Sequence, residues 1–505
     1  IYELSASGRA GVSMPPPAVP AAPLPQERLR EDLNLPEVSE GDVVRHYTRL
    51  SRQNFGVDTT MYPLGSCTMK YNPRLNEAMA HLPGFLAAHP LQDERTVQGS
   101  LQLMFELQQW LSELNGFAET TLQPAAGAHG EFTGILMARA YHQSRGDSGR
   151  DTILLPDSAH GTNPATSSMA GFRVVELPTD ERGNVEMAAL KDNLGPHVAA
   201  MMITIPNTLG LFEEQILEVT RLVHEAGGLM YADGANMNAL MGIVRLADLG
   251  FDVMHYNLHK TFSTPHGGGG PGAGPVAANE KLAPFLPGPL VTLDAPRSTE
   301  ETPVYTFTMP PQSIGRLKAF HGNFGILVRA YAYLRNHGPQ ELRAVSENAV
   351  LNANYLRVRV GEHYQVPYDR ICMHEFVAEG QLAEEDLRAL DISKRLIDYG
   401  FHPPSNYFPL GTPHTSLKVH EALMVEPTET ESLQTLDRYV EALAAIRREA
   451  REQPQLLHDA PHTAPVARVD EVYAAKNLVL CRTAPEPDQT AEGTSNGQSR
   501  QATPS

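Results

Sequence analysis

The residues best suited to chemistry lie in 257–274, which reads NLHKTFSTPHGGGGPGAG. A lysine follows an apolar run and precedes a glycine-rich turn. Glycines let the backbone approach a ligand closely and leave amides free for an anion. A buried lysine is costly unless it is bonded or neutralised, and linkage to a carbonyl carbon is one way to do that. The order is not that of a nucleotide loop, because Lys260 precedes the glycines, and no GxGxxG opens a helix here. Taken alone, the segment reads equally well as an ordinary tight loop. Asp233, in YADGAN, stands 27 residues before Lys260. That interval holds one helix and one strand, so the two side chains can meet from neighbouring strand ends. Asp233 either caps a following helix or pairs with a protonated ring nitrogen.

Three further turns carry candidate groups. In 126–131, AGAHGE, a glycine-rich turn opens an apolar helix, and helix starts bind phosphate through free amides and the dipole. Gly127 and Ala128 are the candidates there. In 157–163, DSAHGTN, the ring of His160 either stacks on an aromatic ligand or is a bonded structural histidine. In 206–210, PNTLG, Asn207 or Thr208 either donates to an anionic oxygen or shapes the turn.

Positioning these groups calls for a sheet. Apolar runs at 152–156, 173–177, 199–205, 229–233 and 253–257 alternate with helical patterns, including one over 213–225 that Gly227 and Gly228 end. Continuous apolar strands separated by helices imply a parallel sheet covered on both faces. Ligands of such sheets sit at the carboxyl ends of the strands, which is where Asp157, Asn207, Asp233, His259 and Lys260 fall. After about residue 335 the pattern changes. Helices are expected over 346–358, 384–398 and 428–449, with strands at 375–377 and 422–425, giving a smaller α+β domain. The expected division is 1–95 for a proline-rich arm and entrance segment, 96–335 for the large domain, 336–483 for the small domain, and 484–505 for a disordered tail.

The 505 residues carry 40 Lys and Arg against 59 Asp and Glu, a formal charge of −19. That balance argues against nucleic acid as a partner. No run is long and apolar enough for a membrane helix, and 1–25 lacks the pattern of a secretory signal. Cys67, Cys372 and Cys481 form neither a disulfide framework nor a zinc cluster, so reduced thiols, no metal and a cytoplasmic setting are expected.

Each signal is ambiguous alone, but their order along the chain is that of the large domain of fold type I, aspartate-aminotransferase-like enzymes that use pyridoxal 5'-phosphate (PLP). The chain resembles the P protein of the glycine cleavage system, glycine dehydrogenase (decarboxylating), in particular subunit 2 of the two-subunit bacterial form. The resemblance is carried by 59–77 (TTMYPLGSCTMKYNPRLNE), 123–135 (QPAAGAHGEFTGI), 157–172 (DSAHGTNPATSSMAGF), 206–213 (PNTLGLFE), 233–239 (DGANMNA), 257–275, 399–404 (YGFHPP) and 421–432 (EALMVEPTETES). It runs to about residue 480, and 410–418 departs from it.

The resemblance implies that Lys260 holds PLP as a Schiff base and that Asp233 pairs with the pyridine nitrogen. It implies further that His160 stacks on the ring and that Asn207 or Thr208 faces the phenolic oxygen. Gly127, Ala128 and His259 would lie near the phosphate. The implied reaction removes the carboxyl group of glycine as carbon dioxide and passes the aminomethyl group to the lipoyl arm of the H protein. The implied assembly is a heterotetramer of two copies each of subunit 1 and this chain. His266 and 267–270 would line the lipoyl channel or touch a neighbouring subunit's cofactor, with His266 reading equally well as a turn residue, and Cys67 would sit on the entrance loop. Two other readings compete: another PLP enzyme, such as an amino-acid decarboxylase or cysteine desulfurase, and a scaffold subunit that kept the fold without the chemistry.

Overall fold

The computed structural model describes residues 1–480, apart from 21, 31–32, 268–271, 383–385 and 409–414. The expected tail, Cys481 and most of the glycine run therefore lie outside the described residues. Two compact units emerge: Ile1–Asn54 with the segment from Arg468, and Phe55–Ala467.

In the first unit, the prolines from Pro15 to Pro25 leave the described part of 11–25 exposed and without helix or strand. The helix Glu40–Ser51 begins at a capping box in which Ser39 and Asp42 each receive the other's backbone N–H. None of its residues is buried.

The second unit is built on a seven-stranded sheet. Its strands are β1 (Glu119–Thr121), β2 (Thr152–Pro156), β3 (Arg173–Leu177), β4 (Val198–Thr204), β5 (Leu229–Gly234), β6 (Val253–Tyr256) and β7 (Val276–Ala278), in the order β1-β7-β6-β5-β4-β2-β3. The contiguous set β3-β2-β4-β5-β6 is parallel, and these are the five strands expected from the apolar runs. Their side chains alternate between two cores. Leu154, Met201, Met230 and Met254 enter one, and Ile153, Leu155, Met202 and Tyr231 enter the other. Burial on both faces is why these strands read as unbroken apolar runs. β7 and β1 add two antiparallel strands of three residues each at one edge.

The helix expected over 213–225 starts later, at Ile216. Glu213 is spent elsewhere: its carboxylate accepts the N–H of Val185 at 2.8 Å and of Gln215 at 3.0 Å. A helix from Phe324 to Val360 is broken at Gly338, whose φ of 66° lies in the left-handed region, with Pro339 next. Its second half packs on a separate core with the helices Ala389–Asp398 and Leu433–Glu452. The last of these was expected from 428. Thr428 instead has φ of 64°, and Ser432 caps the helix by accepting the Thr435 N–H. In chain order, two two-stranded antiparallel sheets complete the unit: β8 (Leu290–Leu293) with β9 (Tyr305–Thr308), and β10 (Phe376–Glu379) with β11 (Ala422–Val425).

Candidate active site

The parallel register sets Asp233 beside His255 on the neighbouring strand. His255 Nε2 lies 3.3 Å from Asp233 Oδ1, and Tyr231 OH lies 2.9 Å from His255 Nδ1. With the Nε2 proton facing the carboxylate, Nδ1 is the acceptor and Tyr231 donates to it. Asn163 Nδ2 donates to Asp233 Oδ2 at 3.0 Å, and the Ala235 N–H to Oδ1 at 2.9 Å. Burial by itself would push the Asp233 carboxyl up. The His255 ring, the Asn163 and Ala235 hydrogen bonds and the Lys260 amine outweigh it and hold the group below its ordinary value.

Glu131 lies on the opposite side of the balance. Burial and the Asp233 charge push its carboxyl up to about 7, although the hydroxyls of Thr162 and Thr166 donate to it. Two carboxyls of unlike acidity thus share one pocket, and Glu131 is the one that takes up a proton first as pH falls.

Lys260 lies on the short helix Leu258–Thr261, directly after β6, and is nine-tenths buried. Its Nζ donates to the Ser66 carbonyl at 2.7 Å. Ser66 has φ of 59°, a strained conformation for a residue with a side chain. The Ser66 N–H donates to Glu375 Oε2 at 2.6 Å and the Thr68 N–H to Glu426 Oε2 at 3.0 Å, so two buried carboxyls grip the loop that receives the lysine.

The glycine-opened helix is Gly127–Ser144, as expected from 126–131. A Cβ on Gly127 would lie 2.1 Å from Asn257 Oδ1, so the helix start seats directly on the segment that carries Lys260. Asn257 Oδ1 and His259 Nδ1 are buried without a partner there, as are the Thr261 and Thr264 hydroxyls. Free helix amides, glycines that leave room, and orphaned polar atoms beside a lysine fit a phosphate-bearing aldehyde cofactor. Burial, then the Lys260 and His266 charges, push the His259 ring down to about 3, so it is neutral and offers hydrogen bonds rather than charge.

His160 follows β2 with its Nδ1 fixed: it accepts the Thr162 N–H at 3.2 Å and lies 2.9 Å from the Thr162 hydroxyl. Burial and Lys260 lower its pKa. Asn207 and Thr208 are the departure. Asn207 Oδ1 accepts the N–H groups of Leu209 and Leu211, and its Nδ2 donates to the Gly183 carbonyl. Thr208 donates its hydroxyl proton to the Ser158 carbonyl. This bonding fills the turn-shaping alternative and leaves Thr208 no proton for a phenolic oxygen. Cys67 Sγ lies 3.7 Å from His266 Nε2, with the thiol pushed up by burial. Cys67 and Cys372 are free thiols.

Residues 345–462 match the model of the family "Glycine dehydrogenase, C-terminal domain", and 134–292 match "Aminotransferase class-V". A protein of Desulforamulus reducens called "Probable glycine dehydrogenase (decarboxylating) subunit 2" is 56% identical over 95% of this chain and 98% of its own length. The chain belongs to the glycine dehydrogenase (decarboxylating) subunit 2 family. A member from Caldanaerobacter subterraneus subsp. tengcongensis is 54% identical over the same shares. Among solved structures, the glycine decarboxylase (P-protein) of the glycine cleavage system, in inhibitor-bound form, superposes with a TM-score of 0.69 at 23% identity. That match covers 84% of this chain and 93% of the other. A NifS-like protein gives 0.57 at 15%, covering 77% and 99%. Both likenesses bear on the fold alone. The family is one of PLP-dependent enzymes of fold type I, and its name makes this chain one subunit of a two-subunit glycine dehydrogenase. Among the described residues, no helix is long and apolar enough to cross a membrane.

Glu131, His255, Ser66, Glu375 and Glu426 were not singled out by the sequence reading. Glu131 and Ser66 lie inside motifs that carried the resemblance, and a carboxyl four residues after Gly127 was the available signal. His255 is hidden in an apolar strand.

Proposed function

We propose that this chain decarboxylates glycine with PLP held on Lys260 and passes the remaining aminomethyl group to the lipoyl arm of the H protein, releasing carbon dioxide. The observation that carries this reading is the meeting of Lys260 and a charge-holding Asp233 at adjacent strand ends, beside a helix start with free amides. Bound there, PLP supplies the electron sink that decarboxylation of an amino acid needs.

Lys260 supplies the amine that holds the cofactor aldehyde, and when displaced it has the Ser66 carbonyl to receive it. Asp233 keeps a proton on the ring nitrogen because its own charge is fixed by His255, Asn163 and Ala235. Glu131, by staying protonated, limits that pocket to one negative charge. The backbone amides of Gly127 and Ala128, with His259, receive the phosphate. His160 covers one face of the ring, its orientation set by Thr162. His266 lines the path of the lipoyl arm.

The working assembly in this reading is a cytoplasmic heterotetramer of two copies of this chain and two of subunit 1, served by lipoylated H protein. The test is exchange of labelled carbon dioxide into glycine by the full chain with PLP, subunit 1 and H protein. Exchange that requires all four components supports the reading. Decarboxylation of another amino acid in preference to glycine, without H protein, overturns it.

A further inference from the structure

Opposite Lys260, on the side away from the sheet, lies a group of side chains with no place in the chemistry above. β10 and β11 are antiparallel with Phe376 across from Val425. Glu375 precedes the one and Glu426 follows the other, so the strand pairing brings the two carboxyls together. Both are fully buried, as is His374. One carboxyl oxygen each of Glu375 and Glu426 and a ring nitrogen of His374 all lie within 4.8 Å of one another. His374 Nε2 is 3.9 Å from each of those oxygens, and neither of its nitrogens has a partner.

The hydrogen bonds treat the two acids differently. Glu375 accepts with both oxygens, from the Ser66 N–H at 2.6 Å and from Asn236 Nδ2 at 3.1 Å. Glu426 accepts only with Oε2, from the Thr68 N–H at 3.0 Å, and its Oε1 has no partner. Two like charges facing each other across a dry strand pair are unfavourable. N–H groups on both oxygens favour the ionised form of Glu375, and the bare Oε1 of Glu426 is open to a proton.

We propose that Glu426 is a protonated carboxylic acid and Glu375 its ionised partner, and that together they position the 66–68 loop so that the Ser66 carbonyl meets the Lys260 amine. The proton sits on Glu426 Oε1, directed at the neutral His374 ring. The pair then carries one charge, on Glu375, and the Lys260 amine acts on both acids.

Burial pushes both carboxyls upward, Glu375 well above its ordinary value and Glu426 to about 7, so the pair shares one proton, and it is the N–H groups on both Glu375 oxygens that place it on Glu426. Lys260 opposes the shift at both, and Glu429, whose own partner is Lys70, reinforces it at Glu426. Cys67, between the two gripped amides, is pushed up by burial, so it is a thiol. Burial and Lys260 push His374 down to about 3, so no second cation compensates a second carboxylate.

The proposal rests on Lys260 as the cofactor lysine only for the consequence at the loop; the proton itself is a property of the chain without cofactor. The first experiment therefore uses the full chain free of PLP. Infrared difference spectra against pH should show the carbonyl stretch of a protonated carboxyl group at pH 6 that fades on crossing neutrality. That band should be missing from Glu426→Gln. Because Glu131 also titrates near there, Glu131→Gln serves as the background in both measurements. A band unchanged by Glu426→Gln overturns the proposal, as does a stoichiometric divalent metal retained through dialysis and found by elemental analysis.

The second experiment measures the dissociation constant for PLP. Glu426→Gln, which imitates the protonated acid, should weaken binding less than threefold, while Glu375→Gln should weaken it by roughly tenfold or more. The reverse ranking overturns the positioning role. Should Glu375→Gln not fold, the band in the other two proteins decides. A wild-type band that behaves as stated while PLP attaches elsewhere than Lys260 separates failure of the functional reading from failure of this one.

Discussion

The two sides of Lys260 are built on opposite principles. On the sheet side, Asp233 has its charge fully accounted for by His255, Asn163 and Ala235, and the neighbouring acid Glu131 is bonded to two threonine hydroxyls. On the side of β10 and β11, His374 and one oxygen of Glu426 are buried with no partner at all. The sheet side is a finished electrostatic socket, which would suit the permanent, rigid contact to a ring nitrogen proposed for it. The β10–β11 side holds a loop, and in the proposed reaction that loop takes and releases a lysine, which a pair of acids that differ by one proton would serve better. Preorganised charge belongs where the charge never changes; an adjustable pair belongs where it does.

Four substitutions break or sharpen this contrast. The largest effect is expected at the group both sides serve: Lys260→Ala should abolish the visible absorbance of bound PLP and reduce carbon dioxide exchange to background. Asp233→Asn attacks the sheet side, where a fixed charge is required at all times. The exchange rate should fall by about two to three orders of magnitude, with PLP binding, followed by fluorescence, far less affected. A fall in binding as large as the fall in rate would assign Asp233 to cofactor capture instead.

Lys70→Met undercuts the loop side from behind. Lys70 is buried and bonded to Glu429, Asn238 and Tyr333, so its loss leaves a charge without a partner. Thermal unfolding should show a loss of about 3–5 kcal/mol, largely recovered when Glu429 is also made Met. A double variant no better than the single one would contradict this.

Glu131→Gln has the smallest effect and tests the sharing of one proton on the sheet side. A carboxyl raised to about 7 stabilises the fold fully below its ordinary value of 4.5, and that contribution is lost as pH rises through 7. The stability of wild type relative to Glu131→Gln, read by urea unfolding, should therefore decline by about 3 kcal/mol between pH 4.5 and 8. A difference that is flat with pH, or that rises, would place the proton elsewhere.

The sheet side was also the side legible in the sequence. Strands buried on both faces must be apolar throughout, so 152–156 and the strands beside it in the middle of the sheet announced themselves, 173–177 showed as a short β-branched run at the edge, and the polar residues that ended them pointed to the site. β1 and β7 escaped because three-residue strands such as ETT and VAA carry no pattern. His255 escaped because one polar residue in an apolar strand looks like an exception rather than a partner for Asp233. Asn207 was legible as a turn residue, and its bonds in the structure are those of one.

The β10–β11 side was illegible for a different reason. Glu375 meets Ser66 across 309 residues and Glu426 meets Thr68 across 358, so no local spacing links them. Only the pairing of β10 with β11 makes two unremarkable glutamates neighbours.

The central claim is the amine at residue 260, and it is tested most directly by trapping. The full chain, loaded with PLP and reduced with borohydride, should carry one pyridoxyl group per chain on the peptide containing Lys260 when digested and mapped by mass spectrometry. A pyridoxyl group on any other lysine, or none after a visible PLP band has been recorded, would contradict the account.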